Sequence, residues 1–136
     1  MPQSVPSLAL VAAACGGLMA CGESEAARPV SPPERAEYLG VDTRLLDRST
    51  VSFLVRMRGA RDRSDVVAYA RCAAAQYALI RGYGFAQHVR TTVTRLGDVW
   101  EGDGGFVISP DIPQGLRNMD AEVIVEDCRE QGIPTV

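Results

Sequence analysis

Apolar and polar residues alternate without interruption from Val51 to Arg58, with Val51, Phe53, Val55 and Met57 on one side and Ser52, Leu54, Arg56 and Arg58 on the other. A sustained period of two predicts a half-buried strand. GARDR then reads as a turn, and the period changes. Val66, Tyr69, Ala70, Ala73, Tyr77 and Ile80 form one stripe at about 100° per residue, with Arg71 and Ala75 opposite, which predicts a helix from Asp65 to about Arg81. Ser64 suits the N-cap, Asp65 complements the dipole in the first turn, and Gly82 and Gly84 stop the helix. Its many alanines permit a close approach to a sheet.

A second alternating run, Phe85 to Leu96, predicts a strand with Phe85, Val89 and Val93 inward and His88, Arg90, Thr92 and Thr94 outward. Gly97 and Asp98 have the chemistry of a two-residue hairpin turn. Val99 to Ser109 returns as a strand, with GDGG at 102–105 expected to interrupt it as a bulge or loop; alternatively, 97–105 forms one long loop. After the prolines at 110 and 113, Ala121 to Glu126 predicts a last strand with Val123 and Val125 inward, and CREQGIPTV closes the chain irregularly. Ahead of all this, Tyr38, Leu39, Val41, Leu45 and Leu46 suggest short helical turns that pack on the domain. The expected fold is α+β, one helix packed on a mainly antiparallel four-stranded sheet in the order β-α-β-β-β.

The start of the chain is different in kind. Val5 to Ala20 is apolar, uncharged and rich in small residues, too short to favour a stable membrane span. It ends in Leu18, Met19, Ala20 and Cys21, followed by the polar GESEAARP, and this resembles a bacterial lipobox. The resemblance implies that residues 1–20 are a signal peptide and that Cys21 is the mature N-terminus, carrying a diacylglyceryl thioether and an N-acyl chain. At about 0.8 kcal/mol per buried methylene, three chains anchor a protein to a membrane without spanning it. With Gly22 rather than Asp after the cysteine, the implied destination is the outer membrane, facing the periplasm. The competing reading is an ordinary secretory signal cut near Ala14 or Ala20. MPQSVPS lacks the Lys or Arg usual at the start of such signals, and AAAC makes Cys15 a poorer lipidation site.

Residues 21–36 hold three prolines and few large apolar side chains, which predicts a flexible tether from the lipidated cysteine. Residues 37–136 are then one small domain. All 14 basic residues are Arg against 17 acidic ones, a net charge of −3 that argues against a nucleic-acid partner. Of four cysteines, Cys15 leaves with the signal and Cys21 is lipidated. Cys72 and Cys128 remain in an oxidising compartment, either as a disulfide or as a pair of buried thiols. A bridge would tie the C-terminal tail beside the helix. With one His and no CxxC, no metal or other cofactor is expected.

Candidate chemistry is thin. Arg56, Arg58, Arg61 and Arg63 are a possible phosphate or lipid-headgroup site, but the interleaved Asp62 and Asp65 favour solvated arginines. Asp98, Glu101 and Asp103 lack the ligand spacing of a calcium loop. His88 has no GxSxG or HExxH around it, so no catalytic residue is assigned. Trp100 suits either an exposed contact or the edge of the core. The stretch VSFLVRMRGARDRSDVVAYARCAAAQYALIRGYG, Val51 to Gly84, resembles the strand-turn-helix-GY unit of small uncharacterised proteobacterial lipoproteins, which implies no catalytic residue. The resulting expectation is an envelope-anchored, non-enzymatic binding or scaffold domain, its partner another envelope protein or peptidoglycan. A disulfide-based stress or redox sensor and a hydrolase are the alternatives.

Overall fold

The computed structural model describes residues 35–112 and 118–136. The expected signal peptide, Cys21 and most of the expected tether lie outside them. Strand β1 (Glu37–Leu45) pairs with β2 (Thr50–Arg58), helix α1 (Arg63–Ile80) follows, β3 (Phe85–Leu96) and β4 (Val99–Ser109) form a hairpin, and β5 (Asn118–Asp120) leads into helix α2 (Ala121–Gln131). The sheet order is β1-β2-β4-β3-β5, and every neighbouring pair is antiparallel. Chain order is therefore β-β-α-β-β-β-α: α+β as expected, but with five strands and two helices in place of four and one.

β2 follows its alternation. Val51, Phe53, Val55 and Met57 are fully buried beneath α1, where Phe53 meets Tyr77 and Phe106 edge to face. The cap of α1 lies two residues earlier than expected: Asp62, not Ser64, is the N-cap, accepting from the Ser64 backbone N–H and from the Ser64 hydroxyl. Two positions on α1 also differ. Ala75 is buried rather than facing away, and Ile80 is 63% exposed. The burial of Ala75 follows from α2, which packs against the flank of α1 that carries Cys72, whereas Ile80 is the last residue of the helix. Arg71, expected to face solvent, donates to Met119 Sδ at 3.5 Å.

The expected helical turns at 38–46 are strand β1. A register shift between Tyr38 and Gly40 leaves Leu39 unpaired, so the inward residues Tyr38 and Val41 lie three apart. A bulge adds one residue to a two-residue period, and the resulting spacing of three imitates a helix. β3 carries the same device. Its register shifts between His88 and Arg90. His88 and Thr91 consequently lie on the α1 side, opposite Phe106 and Gly104, whereas Val89 is 50% exposed. The expected assignment of His88 outward and Val89 inward is thus reversed. Phe85 likewise falls on the side away from α1, half-buried opposite Ser109 and Asp120.

GDGG does not interrupt β4, which pairs continuously with β2 through residues 99–107. Nor is Ala121 to Glu126 a strand. Asp120 caps α2 by accepting from the Glu122 and Val123 N–H groups, and Gly132, in the left-handed conformation, ends it. Ile133 N–H returns to Cys128 O at 2.9 Å, closing the last turn. Val123, expected in the core, is 57% exposed. Cys128 faces α1 and forms a disulfide with Cys72, their Cα atoms 5.9 Å apart. No helix among the described residues is long and apolar enough to cross a membrane.

Candidate functional site

The two faces of the sheet are built from one set of strands by parity. On the α1 side, β4 contributes Gly102, Gly104, Phe106 and Ile108, all buried. A Cβ on Gly102 would stand 2.6 Å from Val66 Cγ1, and one on Gly104 would stand 2.9 Å from Phe106 Cε2 and 3.1 Å from Ala70 Cβ. These glycines let the helix lie directly on the central strand, so half of the GDGG motif serves packing. Gly105, next along, has the opposite parity and lies on the face that no helix among the described residues covers.

That open face carries Asp42 and Arg44 from β1, Ser52, Leu54, Arg56 and Arg58 from β2, Glu101 and Asp103 from β4, and Arg90, Thr92 and Thr94 from β3. Its charges are largely matched. Arg56 donates to Glu101 at 3.0 Å and to Asp42 at 3.1 Å, and Arg58 reaches Glu37 at 3.4 Å and Asp98 at 3.2 Å. Ser52 Oγ donates to Asp103 at 2.6 Å. The remaining members of the expected arginine cluster are also engaged: Arg61 grips Asp65 through Nε and Nη2, and Arg63 donates to the Thr91 carbonyl at 3.2 Å. The four arginines thus serve separate local partners and do not converge on a phosphate. Asp98, Glu101 and Asp103 are likewise divided among Arg58, Arg56 and Ser52. Among the described residues, no three potential metal ligands gather at one point.

His88 lies against the Phe106 ring, 5.0 Å between centroids, with Nε2 at 2.8 Å from the Thr91 hydroxyl. Thr91 is buried beside Gly104, so this hydroxyl faces packed side chains and not a substrate. Trp100 sits opposite Met57 at the rim of the core, with the Arg95 guanidinium over its ring at 4.9 Å. At the far end of α1, Asp65 is buried and its carboxyl is held below the usual range, chiefly by the Arg61 side chain. Burial raises the hydroxyls of Tyr38 and Tyr69, whose rings meet edge to face. This cluster fastens β1 to the helix.

A concavity interrupts the open face. Gly105 forms its floor, Leu46, Thr50 and Ser52 stand on one side, Val89, Arg90 and Thr92 on the other, and Asp103 closes an end, enclosing about 270 Å³. Simple alternation had placed Arg90 and Thr92 outward, but nothing in the pattern distinguished Gly105 from Gly102 and Gly104. Only the continuity of β4 does so.

The YNQ4 C-terminal domain family matches residues 38–132, which include both sheet faces and both bridged cysteines. A relative from the proteobacterium Paracoccus denitrificans, described as an uncharacterized 26.9 kDa protein in the nqo8 5' region, is 31% identical over 86 residues, 63% of this chain and 34% of the relative. The chain thus spans about a third of that relative's length. No solved structure matches. With the match running from β1 to the end of α2, the chain belongs to the YNQ4 C-terminal domain family.

Proposed function

We propose that the domain is a non-enzymatic binding module, held at the periplasmic face of the outer membrane by lipid on Cys21, that meets another envelope protein or peptidoglycan through the open face of its sheet. The observation that carries this reading is the asymmetry of the sheet. One face is sealed by α1, while the other presents hydroxyls, carboxylates and guanidinium groups around the Gly105 depression. A rigid antiparallel sheet with one face solvated is a stable platform for such contacts. The sensor alternative needs accessible sulfur. Cys72 and Cys128 are each only 3% exposed, which favours a structural crosslink. The hydrolase alternative gains nothing from His88, whose hydroxyl neighbour is enclosed.

A photo-crosslinking residue placed at Thr92 on the open face and, separately, at Glu130 on α2 tests the reading in cells. Crosslinked product from Thr92 and none from Glu130 is expected, with Cys21→Ser reducing the yield. No product from Thr92, or equal product from both positions, contradicts the reading.

A further inference from the structure

Across the open face, the pairing places Arg44, Ser52, Gly105 and Arg90 in one row perpendicular to the strands. Two residues along lies the row Asp42, Leu54, Asp103 and Thr92. One row is cationic at both ends and the next carries two carboxylates, about 7 Å away at the rise of an extended strand. The depression spans both rows. Arg90, at its cationic end, has no ion pair among the described residues, in contrast to Arg56 and Arg58 on the same face. Thr50, Ser52 and Thr92 line the walls with hydroxyls, Asp103 offers carboxylate acceptors at the other end, and Leu46 and Val89 supply apolar flanks.

We propose that this depression binds a sugar acid, with its carboxylate on Arg90, its hydroxyls on Thr92 and Asp103, and the C–H face of its ring against Leu46 and Val89. The proposal rests on the open face being the working surface and names the ligand chemistry of that surface. A guanidinium presents a planar fork to a carboxylate. Asp103 is acceptor-only when ionised and already receives one hydroxyl, from Ser52, so it is suited to accept further hydroxyl donors. A volume of about 270 Å³ lies just below the range of drug-sized pockets and suits a single ring. Gly105 is what makes the room: a Cβ there meets nothing closer than 3.8 Å, so a methyl fits the fold but takes up part of the floor.

The test is a titration of the isotopically labelled full-length protein with glucuronate, glucose and acetate, followed by amide NMR. Glucuronate is expected to shift amides of β2, β3 and β4 around Gly105, with glucose and acetate at least about tenfold weaker, as expected when one charge-assisted contact or the hydroxyl set is missing. Arg90→Gln should weaken glucuronate by a similar factor, and Gly105→Ala, whose methyl meets nothing closer than 3.8 Å, should weaken its binding without lowering the melting temperature. Three results overturn the proposal: no shifts with glucuronate, acetate shifts equal to those of glucuronate, or indifference to Arg90→Gln. Crosslinking from Thr92 that persists without glucuronate binding removes the sugar acid and leaves the binding-module reading intact.

Discussion

The two faces of this sheet share strands but follow opposite rules. Beneath α1, β4 gives up side chains at Gly102 and Gly104 so that Val66 and Ala70 can rest against the backbone, and buried Phe53, Met57 and Phe106 fill the space around them. On the open face, the same strand keeps Glu101 and Asp103, each held by a partner on β2, and leaves a hollow at Gly105. Stability is concentrated on the first face, where substitutions meet close-packed atoms. The second face is less closely packed, which suits it to the recognition role we propose.

The largest effect expected on the covered side comes from the bond between the helices. Of α2 only Ala121 and Cys128 are buried, with Ile124 and Val125 half-buried against the core, so the crosslink to α1 carries much of its attachment. With the cysteines 56 positions apart in sequence, the chain-entropy account gives about 4 kcal/mol. Cys72→Ala, Cys128→Ala and the double variant should therefore lose similar amounts in urea denaturation, since either single change removes the same bond. Additive losses would indicate separate packing roles.

Asp65→Asn should cost about 2 kcal/mol at neutral pH, the scale of hydrogen bonds to a buried charge. Because the folded carboxyl titrates below its usual 3.8, its contribution is complete above that range and is lost as pH falls through the depressed folded value. The difference between wild type and variant should accordingly narrow in acid. A gap that stays constant down to pH 2 would show that the Arg61 contact contributes nothing to folding.

Arg56→Ala should have the smallest effect. Its guanidinium is well exposed, and its bonds to Asp42 and Glu101 are surface ion pairs of the kind that add little. A denaturation midpoint indistinguishable from wild type is expected, and a clear loss would place real stability on the open face.

Much of this division was legible in the chain. β2, α1, the extent of β3 and the 97–98 turn follow from period and turn chemistry, and of these only β3 carries a break in its period. What failed has one main physical cause. Single-residue bulges at Leu39 and Val89 turn a period of two into a step of three, which hid β1 as helical turns and placed His88 on the wrong face. α2 was missed differently. Val123 and Val125 suggested alternation, but Asp120, Glu122, Arg129 and Gly132 form a complete set of helix-end signals that outweighed it. The GDGG motif reads as a bulge or loop because the close approach of a helix to a strand is a tertiary event that leaves only the glycines as a trace. Elimination among the cysteines singled out Cys72 and Cys128, which the fold joins through a helix rather than an irregular tail.

The division of β4 is tested most directly by two neighbouring substitutions, Gly104→Ala and Gly105→Ala, compared by urea denaturation. At Gly104 the new methyl would meet Phe106 and Ala70 at 2.9 and 3.1 Å, so a loss of about 1–3 kcal/mol is expected from overpacking. At Gly105 nothing lies within 3.8 Å, and restricting the unfolded chain should leave stability unchanged or raise it by about 0.4–1 kcal/mol. Opposite responses one residue apart would establish that the two faces obey different rules. Equal losses at both positions would contradict the account.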